Sequence, residues 1–311
     1  MKQVFLVGLF FTGLKAFGCD NCNVYFGLNP NDGKNHLSLL YRNRMMMGHY
    51  NAFGQQLMTK HAAHGNDPAF WNNQVIEQFH TIEVKGEFLL KQRWRTTVVI
   101  PYLYNIQFIN STKRFGLNGF GDPILMEGFQ LINPYKVKED DEVQQRLEIG
   151  GGLKVPLGSI DQRAGNLIPN LDLQTGAGSW DMIFYSNYLF KFKNLGFQTN
   201  LNYKLNGKNQ DDYRYGNTLN GTFQCYFQTK MKNLTFIPSV GVNGEFAQFD
   251  QSIETHYDTG GHALFALIRL QSFWKSFSLF GEFQKAISNQ MNGYQQLINK
   301  HKITVGLSYI F

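Results

Sequence analysis

Two cysteines three positions apart are the first residues here that could do chemistry. Cys19-Asp20-Asn21-Cys22 can close a small disulfide, give two thiolates to a metal, act as a redox pair or carry a lipid on Cys19. Two thiolates are only half of a tetrahedral site, so a metal would need help from a side chain such as His36. The third cysteine, Cys225, alternates with Gln224 and Tyr226 and is expected to face outward with Phe223 and Phe227. That leaves Cys19 and Cys22 to each other as a candidate disulfide. Met45, Met46 and Met47, with His49, His61 and His64, offer soft and imidazole donors. Ordinary loop polarity explains them as well, so the three histidines are weak metal candidates and no metal or cofactor is expected. Gly-Ala-Gly-Ser-Trp-Asp at 176–181 departs from the nucleophile pattern G-x-S-x-G. No phosphate loop, dinucleotide fingerprint or HExxH accompanies it. The expectation is a protein without catalytic residues.

Which of these chemistries applies depends on the compartment. Lys2 is a short positive start, and Val4 to Leu14 is an apolar run of the length of a secretory signal, about 7–15 residues. Ala16-Phe17-Gly18 puts small residues at −3 and −1 of a cut before Cys19. The reading is therefore a signal peptide at 1–18, a periplasmic tail at 19–35 and a folded region at 36–311. The thiols then lie where disulfides persist.

Charged residues make up 17% of the chain, against about 25% for a soluble domain. Phe numbers 28, Tyr 15 and Gly 31, while Pro numbers 8, and no mature segment has the run of about 18 apolar residues of a membrane helix. The net charge of +6 is scattered over lysines such as Lys191, Lys193, Lys230, Lys232 and Lys275, which excludes a nucleic-acid stripe.

The elements that must position these residues have a period of two. In 197–205, Phe197, Thr199, Leu201, Tyr203 and Leu205 oppose Gln198, Asn200, Asn202 and Lys204. In 146–155, Leu147, Ile149, Leu153 and Val155 oppose Arg146, Glu148 and Lys154. Alternation of this kind marks strands with one apolar face. Twelve candidate strands lie at about 36–47, 78–91, 94–108, 121–132, 145–156, 180–190, 195–205, 217–228, 234–247, 262–273, 277–287 and 302–311. Most exceed the length of about five or six residues usual in soluble sheets and match the 9–11 of tilted membrane strands. Connections after strands two, six, eight and ten are tight and basic, the one after strand four is longer and acidic, and those after the odd strands are long. The fold expected is an all-β transmembrane antiparallel barrel of about twelve strands, with both termini periplasmic, in the outer membrane of a Gram-negative bacterium.

With the apolar faces on lipid, the opposite faces line the lumen. The candidates are Arg42, Arg44, Glu83, Lys85, Glu87, Arg146, Glu148, Lys154, Asn200, Asn202, Lys204, Glu245, Arg269 and Glu282, together with Gln224, Asn243 and Gln271. Both signs of charge are present, so cross-lumen ion pairs are expected.

Three stretches carry a family resemblance: Gly-Phe-Gly-Asp-Pro-Ile-Leu at 119–125, Leu-Lys-Val-Pro-Leu-Gly-Ser-Ile-Asp at 153–161, and 170–191 with its Leu-Gln-x-Gly-x-Gly-Ser-x-Asp run. Over roughly 115–311 the chain resembles the outer-membrane barrels named after the meta-pathway of phenol degradation, distant relatives of long-chain fatty-acid porins. Leu157 stands where that family has Thr or Ser. The resemblance implies uptake of small, often apolar or aromatic compounds. Gly176, Gly178, Ser179 and Asp181 read as a mainly structural turn and cap. The closing Tyr309-Ile310-Phe311 resembles the signal read by the barrel-assembly machinery, so the partners expected are that machinery, outer-membrane lipid and a small solute. Loops 109–120, 157–179 and 248–261 are the candidate gates. The function expected is passive passage of small solutes. The alternatives are a scaffold or ligand-recognition barrel that transports nothing, and a metal-handling barrel using the His/Met loop.

Overall fold

The computed structural model describes residues 34–49, 74–91, 93–132, 143–165, 169, 171–252, 259–291 and 297–311. The expected signal, most of the tail, Cys19, Cys22, His61 and His64 lie outside these residues.

Among the described residues, fourteen strands form one antiparallel sheet. They are β1 (His36–His49), β2 (Gln74–Leu90), β3 (Trp94–Ile109), β4 (Thr112–Phe120), β5 (Ile124–Ile132), β6 (Val143–Lys154), β7 (Asp181–Phe192), β8 (Leu195–Leu205), β9 (Thr218–Phe227), β10 (Thr229–Met231), β11 (Leu234–Ala247), β12 (Gly261–Trp274), β13 (Phe277–Met291) and β14 (Ile298–Ile310). β4 and β5 follow each other along β3, and β9 and β10 follow each other along β11, so the staves of the barrel number twelve. β1 pairs with β14, His36 opposite Ile310 and Arg44 opposite Lys302, which closes the sheet. Asn35 N–H and Phe311 N–H each donate to the other's carbonyl at 3.1 Å and complete the seam. Closure removes every free edge, the condition a β structure must meet in lipid.

Side chains alternate across the wall. Leu37, Leu39 and Tyr41 on β1, Ile82 and Val84 on β2, Ile268 and Leu270 on β12, and Val305 and Leu307 on β14 are exposed on the outside. Ser38, Thr81, Glu83, Arg269, Gln271 and Thr304, each next to one of them in sequence, are buried inside. An apolar exterior over a polar interior is the arrangement of a transmembrane β-barrel. Cys225 is exposed on the outer face of β9 beside Phe223 and Phe227.

The fourth stave differs from the sequence reading. A strand at 121–132 preceded by a loop at 109–120 was the expectation. The chain instead turns at Asn110 and Ser111, with φ of 48° and 68°, and returns at once as β4. Two successive left-handed residues are the backbone signature of a type I′ hairpin turn. The stave then breaks at Gly121-Asp122-Pro123, where Pro123 has no N–H to give to the ladder. Residues 112–120 are thus wall, not gate.

The tight turns at the other end share one feature. Lys91, Lys193, Lys232 and Lys275 all adopt left-handed φ, between 50° and 53°. That region costs an L-residue about 1–2 kcal/mol, and hairpin turns usually place Gly, Asn or Asp there.

Candidate functional site

The interior falls into zones that follow from which staves carry apolar inward residues. At the loop end, Met46 of β1, Val75 and Phe79 of β2, and Phe115 and Leu117 of β4 form a buried apolar cluster with Leu173 and Leu297. Leu173 arrives on a single 3-10 turn, Leu171–Leu173, in the connection between β6 and β7. Asn105 Nδ2 on β3 donates to the carbonyls of Leu173 at 3.0 Å and Gln174 at 3.3 Å. Gln174 Nε2 donates to the Gln162 carbonyl at 3.1 Å, and the Gln162 N–H donates back to Gln174 Oε1 at 3.0 Å. Gln162 Nε2 also donates to the Asn118 carbonyl of β4 at 3.1 Å, so the connection is tied to the inner wall at two places.

The feet of that connection hold the residues of the three resembling stretches. Lys154 Nζ lies 3.2 Å from Asp122 Oδ2 and 2.6 Å from Asp181 Oδ2. Asp122 accepts the N–H of Gly158 and of Ala177, both at 2.8 Å. Asp181 Oδ1 accepts the Ser179 hydroxyl at 2.8 Å and the Gly207 N–H at 3.0 Å. Gly178 has φ of 69°, whereas Gly176 serves close approach: a Cβ on Gly158 would sit 2.6 Å from the Cα of Gly176. Asp122 was absent from the sequence-derived candidates. Its signal was Pro123, which breaks the stave and frees the preceding carboxylate to cap the loop.

Between the two ends lies a chamber with about 820 Å³ of empty space, solvent-open volume included. One wall is ionic. Arg42 pairs with Glu83, Arg44 with Glu245 at 3.1 Å, and Lys302 with the same Glu245. Lys302 Nζ also lies 3.9 Å from the Phe265 ring centre. Glu245 reaches Arg44 and Lys302 from the facing wall, which lies on β8, β9 and β11 and is otherwise made of amides and hydroxyls. Asn243 Nδ2 donates to Thr222 Oγ1 at 2.8 Å and Asn220 Oδ1 at 3.1 Å. Gln224 Nε2 donates to Gln198 Oε1 at 3.2 Å, and Gln198 Nε2 donates to Asn187 Oδ1 at 2.9 Å. Asn200 lines the chamber, is 3% exposed, and neither its Oδ1 nor its Nδ2 has a hydrogen-bond partner among the described residues. Phe79 and Leu267 supply apolar surface to the same space.

Toward the termini, Leu189, Tyr226, Ile237, Phe273 and Ile310 pack as a second apolar cluster on the inner faces of β7 to β14. Arg269 lies beside it, 3.4 Å from Glu282 and 4.0 Å from the Phe280 ring centre. Across the barrel an ionic belt takes the corresponding place: Lys85 is 3.3 Å from Glu87, and Arg95 is 3.0 Å from Glu148 and 3.9 Å from Glu87. Tyr185 donates its hydroxyl to Glu148 at 2.9 Å. Its ring lies over Gly150, where a Cβ would meet Tyr185 Cε1 at 2.5 Å. Arg146, two residues before Glu148 on the same inner face of β6, is 2% exposed.

All fourteen sequence-derived lumen candidates thus sit on inward positions, in three groups. Arg42, Arg44, Glu83, Asn200, Asn202, Glu245 and Glu282 surround the chamber, with Arg269 adjoining through Glu282. Lys85, Glu87, Arg146 and Glu148 belong to the belt near the termini. Lys154 and Lys204 belong to the loop feet, Lys204 Nζ being 4.0 Å from Asp181. Lys302 and Arg95 were missed because the sequence reading began their strands at 302 and 94, which left each with few neighbours to declare a face; β14 in fact begins four residues before Lys302, at Ile298. Gln224, Asn243 and Gln271 are also buried inside. His36 is 3% exposed within β1, and His49 ends that strand. Among the described residues, no three His, Cys, Asp or Glu side chains gather as a metal set.

Comparison with protein-family models and with curated protein sequences finds no match. An outer membrane channel from Pseudomonas putida F1 is similar in fold, with a TM-score of 0.60 at 10% identity over 92% of this chain and 100% of that one. The β domain of the Bordetella autotransporter BrkA aligns with a TM-score of 0.47 at 7% identity, over 89% of this chain and 99% of that one. The first likeness shows the shared barrel fold.

Proposed function

We propose that the chain is a passive outer-membrane channel for small solutes, oriented with its termini and tight turns in the periplasm and its long connections outside. The central chamber carries this reading. It is a polar space inside a closed barrel, lined by ion pairs and by hydrogen-bonding amides. A channel needs solute sites that bind enough to admit and too weakly to trap, and such walls provide them. The fold is also one that a Pseudomonas putida channel uses. The resemblance to the phenol meta-pathway barrels, read as kinship, points to apolar or aromatic solutes. The chamber adds hydrogen-bonding groups to that description, so small aromatic compounds bearing hydroxyl or carboxylate groups suit it best. The terminal Tyr309-Ile310-Phe311 suits delivery by the barrel-assembly machinery.

Liposome swelling with p-hydroxybenzoate, benzyl alcohol and arabinose tests the proposal. Flux of the hydroxylated aromatic above that of arabinose is expected, and no flux of any solute would refute the channel reading. A second reading has its own support, because apolar clusters fill part of the lumen at both ends. A barrel sealed by them would act as a scaffold or a ligand receptor and would show neither swelling nor conductance.

A further inference from the structure

We infer that the end of the barrel bearing the termini is a binding collar for anionic phospholipid headgroups. Six bases, Lys91, Arg93, Lys193, Lys230, Lys232 and Lys275, stand exposed in or beside its four tight turns. The described residues of these turns contain no Asp or Glu. The acidic connection at this end, 133–142, lies outside the described residues. The long connections at the opposite end mix signs, with Asp161, Asp172, Asp211 and Asp212 among their bases. There Lys208 and Asp212 approach within 3.8 Å of each other.

Backbone cost makes the collar more than a scatter of surface lysines. Each of the four turns holds its lysine at left-handed φ, where Gly or Asn would sit without strain. Turn formation alone does not select lysine there. A benefit from the ammonium does account for it.

The lysines also stand at headgroup height. Trp94, Phe192, Trp274, Phe277 and Tyr309 form the exposed aromatic girdle of this end, and such girdles sit at the membrane interface. Lys193 Nζ lies 5.4 Å from the ring centre of Phe192, and Lys275 Nζ lies 5.1 Å from that of Trp274. Ring and ammonium are thus presented together, apolar surface to the acyl chains and charge to the phosphates. Basic clusters at this height attract anionic lipid over a Debye length. The ligand chemistry is a phosphodiester with a net negative headgroup, as in phosphatidylglycerol.

Tryptophan quenching tests the collar without any solute flux, so it can fail independently of the channel reading. The full barrel carrying Trp71→Phe and Trp180→Phe reports only from Trp94 and Trp274. It is reconstituted in phosphatidylcholine vesicles holding a minor fraction of chain-brominated phosphatidylglycerol, or the same fraction of brominated phosphatidylcholine. Both leaflets then have one composition, so insertion direction does not matter. Quenching by the glycerol lipid several-fold above the choline lipid is expected, declining as salt rises. Replacing Lys91, Lys193, Lys232 and Lys275 by Asn keeps residues that tolerate left-handed φ and should abolish the preference. Arginine at the same positions should keep it. A companion variant with Trp180 as the sole tryptophan should show none. Equal quenching in the starting protein, a preference that survives the asparagine variant, or an equal preference at Trp180 would overturn the inference. Heat-dependent gel mobility confirms that each variant is folded.

Discussion

Lys154 and Asp181 meet at 2.6 Å on adjacent staves, with side chains 1% and 0% exposed, and Asp122 reaches the same ammonium from β5's approach at 3.2 Å. One cation thereby joins the point where the β6–β7 connection leaves the wall to the point where it returns. Asp122 adds the N–H groups of Gly158 and Ala177, one near each foot. The three stretches that carry the family resemblance are one junction in space, and that junction holds a loop across the lumen.

Lys154→Met should therefore loosen the loop before it harms the barrel. Removing one partner of a buried ion cluster leaves carboxylates without compensation, a loss of about 3–5 kcal/mol when water cannot enter. Faster proteolysis within 157–179, together with a lower unfolding temperature in detergent, is the expected result. Unchanged proteolysis would mean that the Gln162–Gln174 and Asn105 contacts hold the loop alone.

Leu173 is the loop's anchor in the apolar cluster, with no exposure to solvent. Leu173→Ser removes that anchor and leaves a hydroxyl able to hold water where the cluster excluded it. Apolar constrictions gate by dewetting. Single-channel conductance in planar bilayers should rise several-fold over the unmodified barrel. A variant with unchanged conductance and intact fold would place the narrowest point elsewhere, at the cluster around Tyr226 and Phe273.

Glu245 serves two cations, Arg44 and Lys302, and also accepts from Asn220 Nδ2 at 3.3 Å. Glu245→Gln keeps size and most hydrogen bonding but leaves the chamber one positive charge richer. Field lines concentrate in a low-dielectric channel, so a single charge shifts selectivity. The reversal potential under a KCl gradient should move toward chloride, with a several-fold higher anion-to-cation permeability ratio. An unmoved potential would show that ions do not pass this wall.

The barrel was legible in the sequence because alternation reports a face directly. Leu201 and Ile149 point out while Asn200 and Glu148 point in, as their neighbours' polarity dictates. What the alternation could not report was pairing across the lumen. Arg44 and Glu245 are far apart in the chain, and only the closed register brings them together. The β3–β4 hairpin was hidden for another reason. Thr112–Phe120 carries Lys113, Arg114 and Asn118, which read as loop residues although they lie on a strand paired with β3. Likewise, nothing local in the sequence showed that the Asp122 carboxylate closes a loop by accepting the N–H groups of Gly158 and Ala177.

The connections after β8 and β11 meet at Asp250, and their order should depend on pH. Asp250 accepts from the Gly216 N–H and the Tyr213 hydroxyl, both at 2.7 Å, and is 3% exposed. Burial raises its pKa above the ordinary 3.8, although the hydrogen bonds from Tyr213, Gly216 and Thr259 pull it down. Burial, with the charge of Asp250 beside it, raises Tyr213 well above the ordinary 10.0. A group whose pKa is raised by folding contributes stability below its unfolded value and loses it as pH rises through the folded value. Asp250 therefore favours the ordered loops most in acid and less at neutral pH, and Tyr213 adds a further loss only in alkali. Hydrogen exchange at the Gly216 amide, corrected for intrinsic rate, should show protection falling from pH 4 to pH 8. Asp250→Asn removes the titrating group and should flatten that profile while keeping an acceptor for Gly216. A profile equally steep in both proteins would assign the pH dependence to another group.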